Sequence, residues 1–130
     1  MRIAIEWSTN SKANRSKVGC IIVKDRRIIS DGYNGMPTGF DNRCEHITNN
    51  RLITRDEVLH AESNAIAKLA TSTISSTGSS LFVTLAPCWD CAKLIIQCGI
   101  KEVYYKDDYT TNEGIILLKR AHIYITQLDA

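Results

Sequence analysis

The sequence predicts a single-domain α/β layer sandwich over residues 1–130, with a mixed five-stranded sheet and helices on both faces. Two apolar segments separated by a short charged turn near the amino terminus indicate an antiparallel hairpin. After this hairpin, strand-like segments alternate with segments whose apolar residues recur at helical spacing, which is typical of parallel strands joined by helices. A length of 130 residues suits one domain with its own core.

The first part of the chain begins with a short predicted helix over residues 3–11. Residues 18–24 and 27–33 have the apolar, β-branched character of strands, and the charged residues between them form the hairpin turn. Residues 34–58 are rich in Gly, Asn, Thr and charge and lack sustained periodicity. We therefore expect a long loop there, and long loops in compact domains are often functional.

The rest of the chain alternates between helix and strand. In HAESNAIAKLA the apolar residues recur every three or four positions, which predicts a helix over residues 60–70. Pro87 later occupies a position where a helix can begin without losing a needed N–H donor. The remaining predicted elements are a strand over 81–85, a helix over 88–98 that ends at Gly99, a strand over 102–105, a helix over 113–120 and a strand over 122–126.

Composition excludes several classes of protein. Hydrophobic residues make up 44% and charged residues 23% of the chain, which is ordinary globular composition. No apolar run approaches the roughly 20 residues that a membrane span requires, and the first residues lack the pattern of a signal peptide. The net charge of +2 is spread along the chain, unlike the basic stripe of a nucleic-acid-binding protein. We expect a cytoplasmic protein without membrane or nucleic-acid partners, and a small nucleotide fits this charge balance.

The five cysteines form an odd set with one tight pair, which suits a metal site in a reducing compartment better than a disulfide framework. Cys88 and Cys91 lie three residues apart at a predicted helix start, so their sulfurs face the same way. His60 begins another helix and adds an imidazole nitrogen. Three protein ligands leave the fourth tetrahedral position of a zinc ion open to water, which is typical of catalytic zinc.

Glu62, two residues after His60, is predicted to lie beside the metal without binding it, as a proton carrier must. Zinc lowers the pKa of its water to about 7, so Glu62 can accept that proton and pass it to a substrate. Alone, CxxC is also typical of a redox pair or half a structural zinc site, and HxE alone means little. Together, HxE and PCxxC after an intervening strand are the signature of zinc nucleobase deaminases.

In its longer motifs the chain resembles the deoxycytidylate deaminases of the zinc-dependent cytidine and deoxycytidylate deaminase superfamily. The resemblance spans nearly the whole chain and is carried by KVGCIIV, GYNGMPTG, HAESNAI, LFVTLAPCWDCAKLIIQCGIKEVYY and the later Tyr109. It implies a cytidine deaminase-like fold, zinc-dependent hydrolysis of dCMP to dUMP and ammonia, and a homo-hexameric assembly.

The resemblance also assigns substrate contacts. Asn34 of GYNG occupies the place where related deaminases use an Asn against the substrate sugar, and Tyr109 matches the tyrosine that stacks on the base. A 5′-phosphate needs cationic or amide donors, which Asn14, Arg15 and Lys17 supply just before the first strand. Which of them contacts phosphate is left open, and a solvated basic surface is the alternative for each.

Regulation is a further implication of the resemblance. In the family, the GYNG segment belongs to a second nucleotide site where dCTP activates and dTTP inhibits, with Mg²⁺ on the triphosphate. Tyr33, Asn34 and Gly35 occupy the corresponding positions here. The alternative is a glycine-containing turn that only ends the hairpin.

The other cysteines have simpler interpretations. Some relatives carry a structural zinc, and Cys44, Glu45 and His46 offer ligands for one. Because no second cysteine pair accompanies them, we favour a loop thiol and a surface histidine. Cys20 in an apolar strand and Cys98 at a helix end are interpreted as small buried hydrophobes.

Two other functions stay open. The nearest is another deaminase of the superfamily, acting on free cytidine, on guanine or on adenosine within tRNA, although the near-neutral charge counts against tRNA. The second is a zinc-stabilised nucleotide-binding module without turnover, which leaves Glu62 and the open coordination position unexplained.

Overall fold

A computed structural model describes residues 1–129 and confirms the predicted fold class. The main sheet has five strands in the order β2-β1-β5-β6-β7. Strand β1 is antiparallel to both β2 and β5, whereas β5, β6 and β7 are parallel. The elements are α1 (Arg2–Ser8), β1 (Gly19–Lys24), β2 (Arg27–Tyr33), β3 (Glu45–Thr48), β4 (Arg51–Thr54), α2 (Ala61–Ala70), β5 (Ser80–Leu85), α3 (Trp89–Gln97), β6 (Glu102–Asp107), α4 (Glu113–Arg120) and β7 (Tyr124–Gln127).

Helices cover both faces of the sheet, as the sequence predicts. Gly19 pairs with Tyr33 and Cys20 with Gly32, so Gly19 and Gly32 point to opposite faces because successive strand residues alternate. A Cβ atom on Gly19 would lie 2.7 Å from the backbone nitrogen of Ser8 in α1, and one on Gly32 would lie 2.7 Å from that of Ala65 in α2. Helices α1 and α2 therefore pack on opposite faces, each against a glycine.

The main core lies between α2, α3, α4 and one face of the sheet. Cys20 and Ile22 of β1 are fully buried, and they pair with Val83 and Leu81 of β5 on the same face. The partly buried Cys98 packs against this core. Cys20 therefore acts as a small core hydrophobe, as predicted, and burial raises the pKa of its thiol well above the ordinary range. Among residues 1–129, no helix has the length and apolar character to cross a bilayer.

The prediction of one long loop over residues 34–58 is wrong in part, because the segment contains the β3–β4 hairpin. Asn49 and Asn50 form its turn with φ angles of 51° and 61°, the left-handed values that a two-residue hairpin turn requires. Each strand has four residues, and most of their side chains are exposed. No buried face therefore imposes the alternation of apolar and polar residues by which strands are recognised.

Several element boundaries also differ from prediction. The first helix ends at Ser8 rather than residue 11, and the last strand begins at Tyr124 because His122 takes a φ of 60° in the preceding turn. Helices α2 and α3 each begin one residue later than predicted. His60 and Cys88 are consequently N-cap residues with extended backbones.

Candidate metal centre and active site

The three predicted metal ligands lie together where two helices begin. His60 is the N-cap of α2, Cys88 is the N-cap of α3, and Cys91 lies in the first turn of α3. The His60 Nδ1 atom is 3.4 Å from the Cys88 sulfur and 3.3 Å from the Cys91 sulfur. An ideal tetrahedral zinc site with two sulfurs and one nitrogen has N···S separations of about 3.5 Å. The donor types and their spacing therefore fit zinc.

Close backbone packing fixes these helix starts. A Cβ atom on Gly32 of β2 would collide with the carbonyl oxygen of Ala61, immediately after the ligand His60. A Cβ atom on Gly114 of α4 would collide with the Pro87 carbonyl oxygen and lie 2.8 Å from the Cys88 carbonyl oxygen. The two glycines allow β2 and α4 to approach the backbone that presents the ligands, so the ligand positions depend on this packing.

Hydrogen bonds among the ligands set their charges. A hydrogen bond from Cys91 lowers the pKa of Cys88 to about 4, and the same bond raises the pKa of Cys91. The His60 pKa is raised, mainly by the hydrogen bond to Cys88. Cys88 also lies at a helix start, where the backbone dipoles favour the negatively charged form of a thiol. A divalent cation that binds both sulfurs must displace the proton of Cys91.

Glu62 lies in the first turn of α2 and is only 4% exposed. Burial raises the pKa of its carboxyl to about 7, because a charged carboxylate loses hydration there. A carboxyl with a pKa near neutrality can both accept and donate a proton at physiological pH. The position and pKa of Glu62 suit the proton carrier that the sequence predicts.

A cavity of about 400 Å³ opens beside these residues, within the usual range for small-ligand sites. His60, Glu62 and Cys88 line it, together with the predicted substrate residues Asn34 and Tyr109. The remaining lining residues are Ala13, Arg15, Ser16, Val18, Cys44, Glu45, Thr54, Val58, Ala61, Leu85, Ala86, Asp108 and Thr110.

The predicted phosphate residues are placed differently from one another. Arg15 lines this cavity, whereas Asn14 lines a neighbouring cavity beside the β3–β4 hairpin. Lys17 is exposed and is not among the lining residues of either cavity. Among the three, Arg15 is therefore the residue that the structure brings to the candidate active site.

The side-chain amide of Asn34 also has a structural role. Its Oδ1 atom accepts the Val18 backbone N–H at 2.8 Å, and its Nδ2 atom donates to the Ser16 carbonyl at 2.8 Å. An amide nitrogen carries two hydrogens, so one donor is left for a ligand. Asn34 therefore fastens the segment before β1 to the end of β2, at the wall of the cavity.

Tyr33 and Gly35 lie on either side of Asn34. Tyr33 is partly exposed, and a Cβ atom on Gly35 would have no atom within 4 Å. The backbone N–H of Gly35 donates to the Leu59 carbonyl at 3.1 Å, and its carbonyl accepts the Leu59 N–H at 2.8 Å. Since Leu59 directly precedes His60, this bridge connects the GYNG segment to a predicted metal ligand.

The structure does not assemble Cys44, Glu45 and His46 into a second metal centre. Within residues 1–129, the group His60, Cys88 and Cys91 is the one cluster of three such side chains with metal-binding spacing. Cys44 and Glu45 instead line the cavity beside the candidate metal centre, whereas His46 is exposed. Sequence reasoning missed this role because it placed these residues in a loop, although the Asn-Asn pair that follows was a hairpin signal.

Three comparisons describe the known proteins that this chain is similar to. Residues 1–107 match the family described as the cytidine and deoxycytidylate deaminase zinc-binding region. ComE operon protein 2 of Bacillus subtilis (strain 168) is 41% identical over 124 residues, which cover 92% of this chain and 64% of that protein. Human deoxycytidylate deaminase is 41% identical over 113 residues, covering 83% and 62%. The chain thus spans just under two thirds of each of these two relatives.

The similarity to a solved structure covers a larger share of the similar protein. The crystal structure of dCMP deaminase from the cyanophage S-TIM5, in complex with dCMP and dUMP, superposes with a TM-score of 0.92 at 41% sequence identity. The match covers 98% of this chain and 92% of the phage chain.

Proposed function

Since this chain belongs to the cytidine and deoxycytidylate deaminase family, we propose that it catalyses the zinc-dependent hydrolysis of dCMP to dUMP and ammonia. The observation that carries the proposal is the buried carboxyl of Glu62 next to the cluster of His60, Cys88 and Cys91, beside a cavity of about 400 Å³ that His60, Glu62 and Cys88 line. The similarity to human deoxycytidylate deaminase and the dCMP and dUMP bound to the phage enzyme support dCMP as the substrate. Residues 1–130 form one catalytic domain in this proposal.

The proposed mechanism assigns zinc to His60, Cys88 and Cys91. Zinc held there would supply the attacking water in activated form, because it would lower the pKa of that water to about 7. Glu62 accepts a proton from the water as its oxygen bonds to C4 of the cytosine ring, and delivers a proton to the ring nitrogen N3. Glu62 then takes the remaining proton from the new C4 hydroxyl and passes it to the exocyclic amine, as the C4–N bond breaks and the C4 carbonyl forms. One water is consumed and one ammonia leaves, so Glu62 ends the cycle as it began.

Substrate binding is proposed to use three parts of the cavity. Tyr109 stacks on the base, the remaining amide donor of Asn34 contacts the sugar, and Arg15 binds the 5′-phosphate. Arg15 is exposed at the rim, where an ionic phosphate stays accessible to solvent. Asn14 and Lys17 are kept as further phosphate candidates, although the described cavity supports Arg15 best.

The proposed function is tested by incubating the zinc-loaded protein separately with dCMP, CMP, deoxycytidine and dCTP and measuring ammonia release. We expect dCMP to be deaminated with the highest kcat/KM, because a bound phosphate converts remote binding energy into orientation of the base. No ammonia from any substrate would refute the enzyme, and equal kcat/KM for dCMP and deoxycytidine would indicate a nucleoside deaminase instead.

Regulation by dCTP as activator and dTTP as inhibitor is also proposed, at a second site formed by Tyr33, Asn34 and Gly35, with Mg²⁺ on the triphosphate. Two contacts support coupling to the active site. Asn34 lines the substrate cavity, and Gly35 is hydrogen-bonded to Leu59 beside His60. Two nucleotides can act oppositely at one site if each prefers a different arrangement of it.

A homo-hexamer in the cytoplasm completes the proposal. Several large apolar side chains are exposed and offer surface for contacts between copies, among them Phe40, Ile47 and Tyr124, which are 55%, 75% and 61% exposed. Light scattering after size-exclusion chromatography would measure the mass, and a monomeric mass at working concentrations would refute the hexamer.

A further inference from the structure

Glu45, the first residue of β3, is a buried carboxylate in the wall of the active-site cavity. It is 5% exposed, and none of the ion pairs found within residues 1–129 includes it. Its Oε2 atom accepts the backbone N–H of Asn14 at 2.9 Å and that of Arg15 at 3.0 Å. Burial of a carboxylate is unfavourable unless hydrogen bonds compensate the lost hydration, so these two bonds are what Glu45 depends on in this position.

The same hairpin also holds the Arg15 side chain. Thr54 pairs directly with Glu45 across β3 and β4, and its hydroxyl accepts a hydrogen bond from Arg15 Nη1 at 3.1 Å. One cross-strand pair therefore fixes Arg15 at both ends: Glu45 binds its backbone and Thr54 binds its guanidinium. On its other side, the segment is fastened by Asn34 through Ser16 and Val18.

These contacts limit how the segment can bind an anion. Two successive backbone N–H groups that point the same way often form a phosphate site, but here both point at Glu45. The cationic side chain of Arg15 is left as the donor at this part of the cavity rim. A long arginine side chain loses much rotational freedom when it binds, and it loses less when it is already fixed.

We propose that Glu45 is a positioning residue that holds Arg15 towards the 5′-phosphate and thereby sets the preference for a nucleoside monophosphate over a nucleoside. The inference rests on the proposed deaminase function and adds to it a residue whose hydrogen bonds go to the backbone of Asn14 and Arg15. It assigns the exposed β3–β4 hairpin a role in substrate specificity.

The test measures kcat and KM for dCMP and kcat/KM for deoxycytidine in the zinc-loaded full chain. Glu45→Ala should raise KM for dCMP roughly tenfold while kcat for dCMP and kcat/KM for deoxycytidine stay within about twofold. Glu45→Gln keeps an acceptor of the same length and should stay within about threefold of the wild-type KM. Glu57→Ala is the matched control, because Glu57 lies near the hairpin, is exposed and pairs with Arg55; it should leave all three values unchanged.

A double-mutant cycle separates positioning from general stability. In an Arg15→Ala background, Glu45→Ala should produce no further rise in KM for dCMP, because its effect passes through Arg15. Additive effects would overturn the proposal, as would equal losses on dCMP and deoxycytidine or a Gln variant as impaired as the Ala variant.

Three remaining outcomes are also decisive. If Glu45→Ala does not fold, Glu45→Met fills similar space without an acceptor and makes the same test; if neither folds, Glu45 is a stability residue and the inference fails. A wild-type protein that does not deaminate dCMP overturns the proposed function and this inference together. A wild-type protein that prefers dCMP, with an unaffected Glu45→Ala variant, overturns this inference alone.

Discussion

Gly114→Ala tests whether the close packing of α4 against the ligand backbone maintains the metal centre. Two effects oppose each other in this variant. Alanine has the higher helix propensity, which by itself would stabilise α4 by about 1 kcal/mol. The new Cβ atom, however, would meet the carbonyl oxygens of Pro87 and Cys88. Both are backbone atoms, so α4 must move as a unit, and overpacking of this kind costs about 3 kcal/mol.

The net expectation is a destabilisation of about 2 kcal/mol. A chain of this length unfolds with an entropy of about 0.27 kcal/mol/K, so the melting temperature should fall by about 7 °C. Because Cys88 is itself a ligand, zinc affinity in competition with a chelator should fall by about tenfold. Calorimetry of the zinc-loaded protein measures the melting temperature. Gly35→Ala, where the added Cβ atom meets nothing within 4 Å, should change the melting temperature by less than about 2 °C.

An unchanged or raised melting temperature for Gly114→Ala would show that the stability gained from helix propensity is at least as large as the cost of the steric collision. It would refute the argument that this contact fixes the ligand backbone. A large loss in both glycine variants would refute it as well, because a general intolerance of alanine would then explain the result.

Further predictions concern the proposed metal ligands and the proposed regulatory site. Cys88→Ala and Cys91→Ala should each lose zinc and activity together, because two remaining protein ligands hold zinc weakly; full zinc retention by metal analysis would point to other ligands. Gly35→Val should abolish the responses to dCTP and dTTP measured with Mg²⁺, because a side chain there would block nucleotide approach while meeting no atom of the chain itself at its Cβ. Indifference of the wild-type rate to both nucleotides would refute the regulatory proposal.

The sequence is sufficient to predict the sheet and helices because their signals are local. Cys20 and Ile22 are two residues apart in β1 and therefore share one face of the strand. In α2, Ala61, Ala65 and Leu69 recur at helical spacing. The order of these elements then determines which strands are parallel. Helix ends are less well predicted, since His60 and Cys88 take extended N-cap conformations that apolar spacing does not encode.

The metal cluster and its neighbours differ in how far the sequence predicts them. His60, Cys88 and Cys91 are identifiable because ligand chemistry restricts the residue types and their spacing. Glu45 is not, because its role depends on a hairpin whose exposed strands lack a periodic pattern and on two N–H groups 30 and 31 residues away. The pairing of Glu45 with Thr54 likewise depends on the register of β3 against β4, which the three-dimensional structure defines.

Ammonia release from dCMP by zinc-loaded Glu62→Gln, with the zinc content of the same sample, tests the central claim most directly. The substitution preserves the size of the side chain and all three metal ligands but removes the group that carries protons. We predict near-stoichiometric zinc and a rate at least about a hundredfold below that of the wild type. Near-normal turnover with zinc retained would contradict the assignment of Glu62 as the proton carrier and, with it, the proposed mechanism.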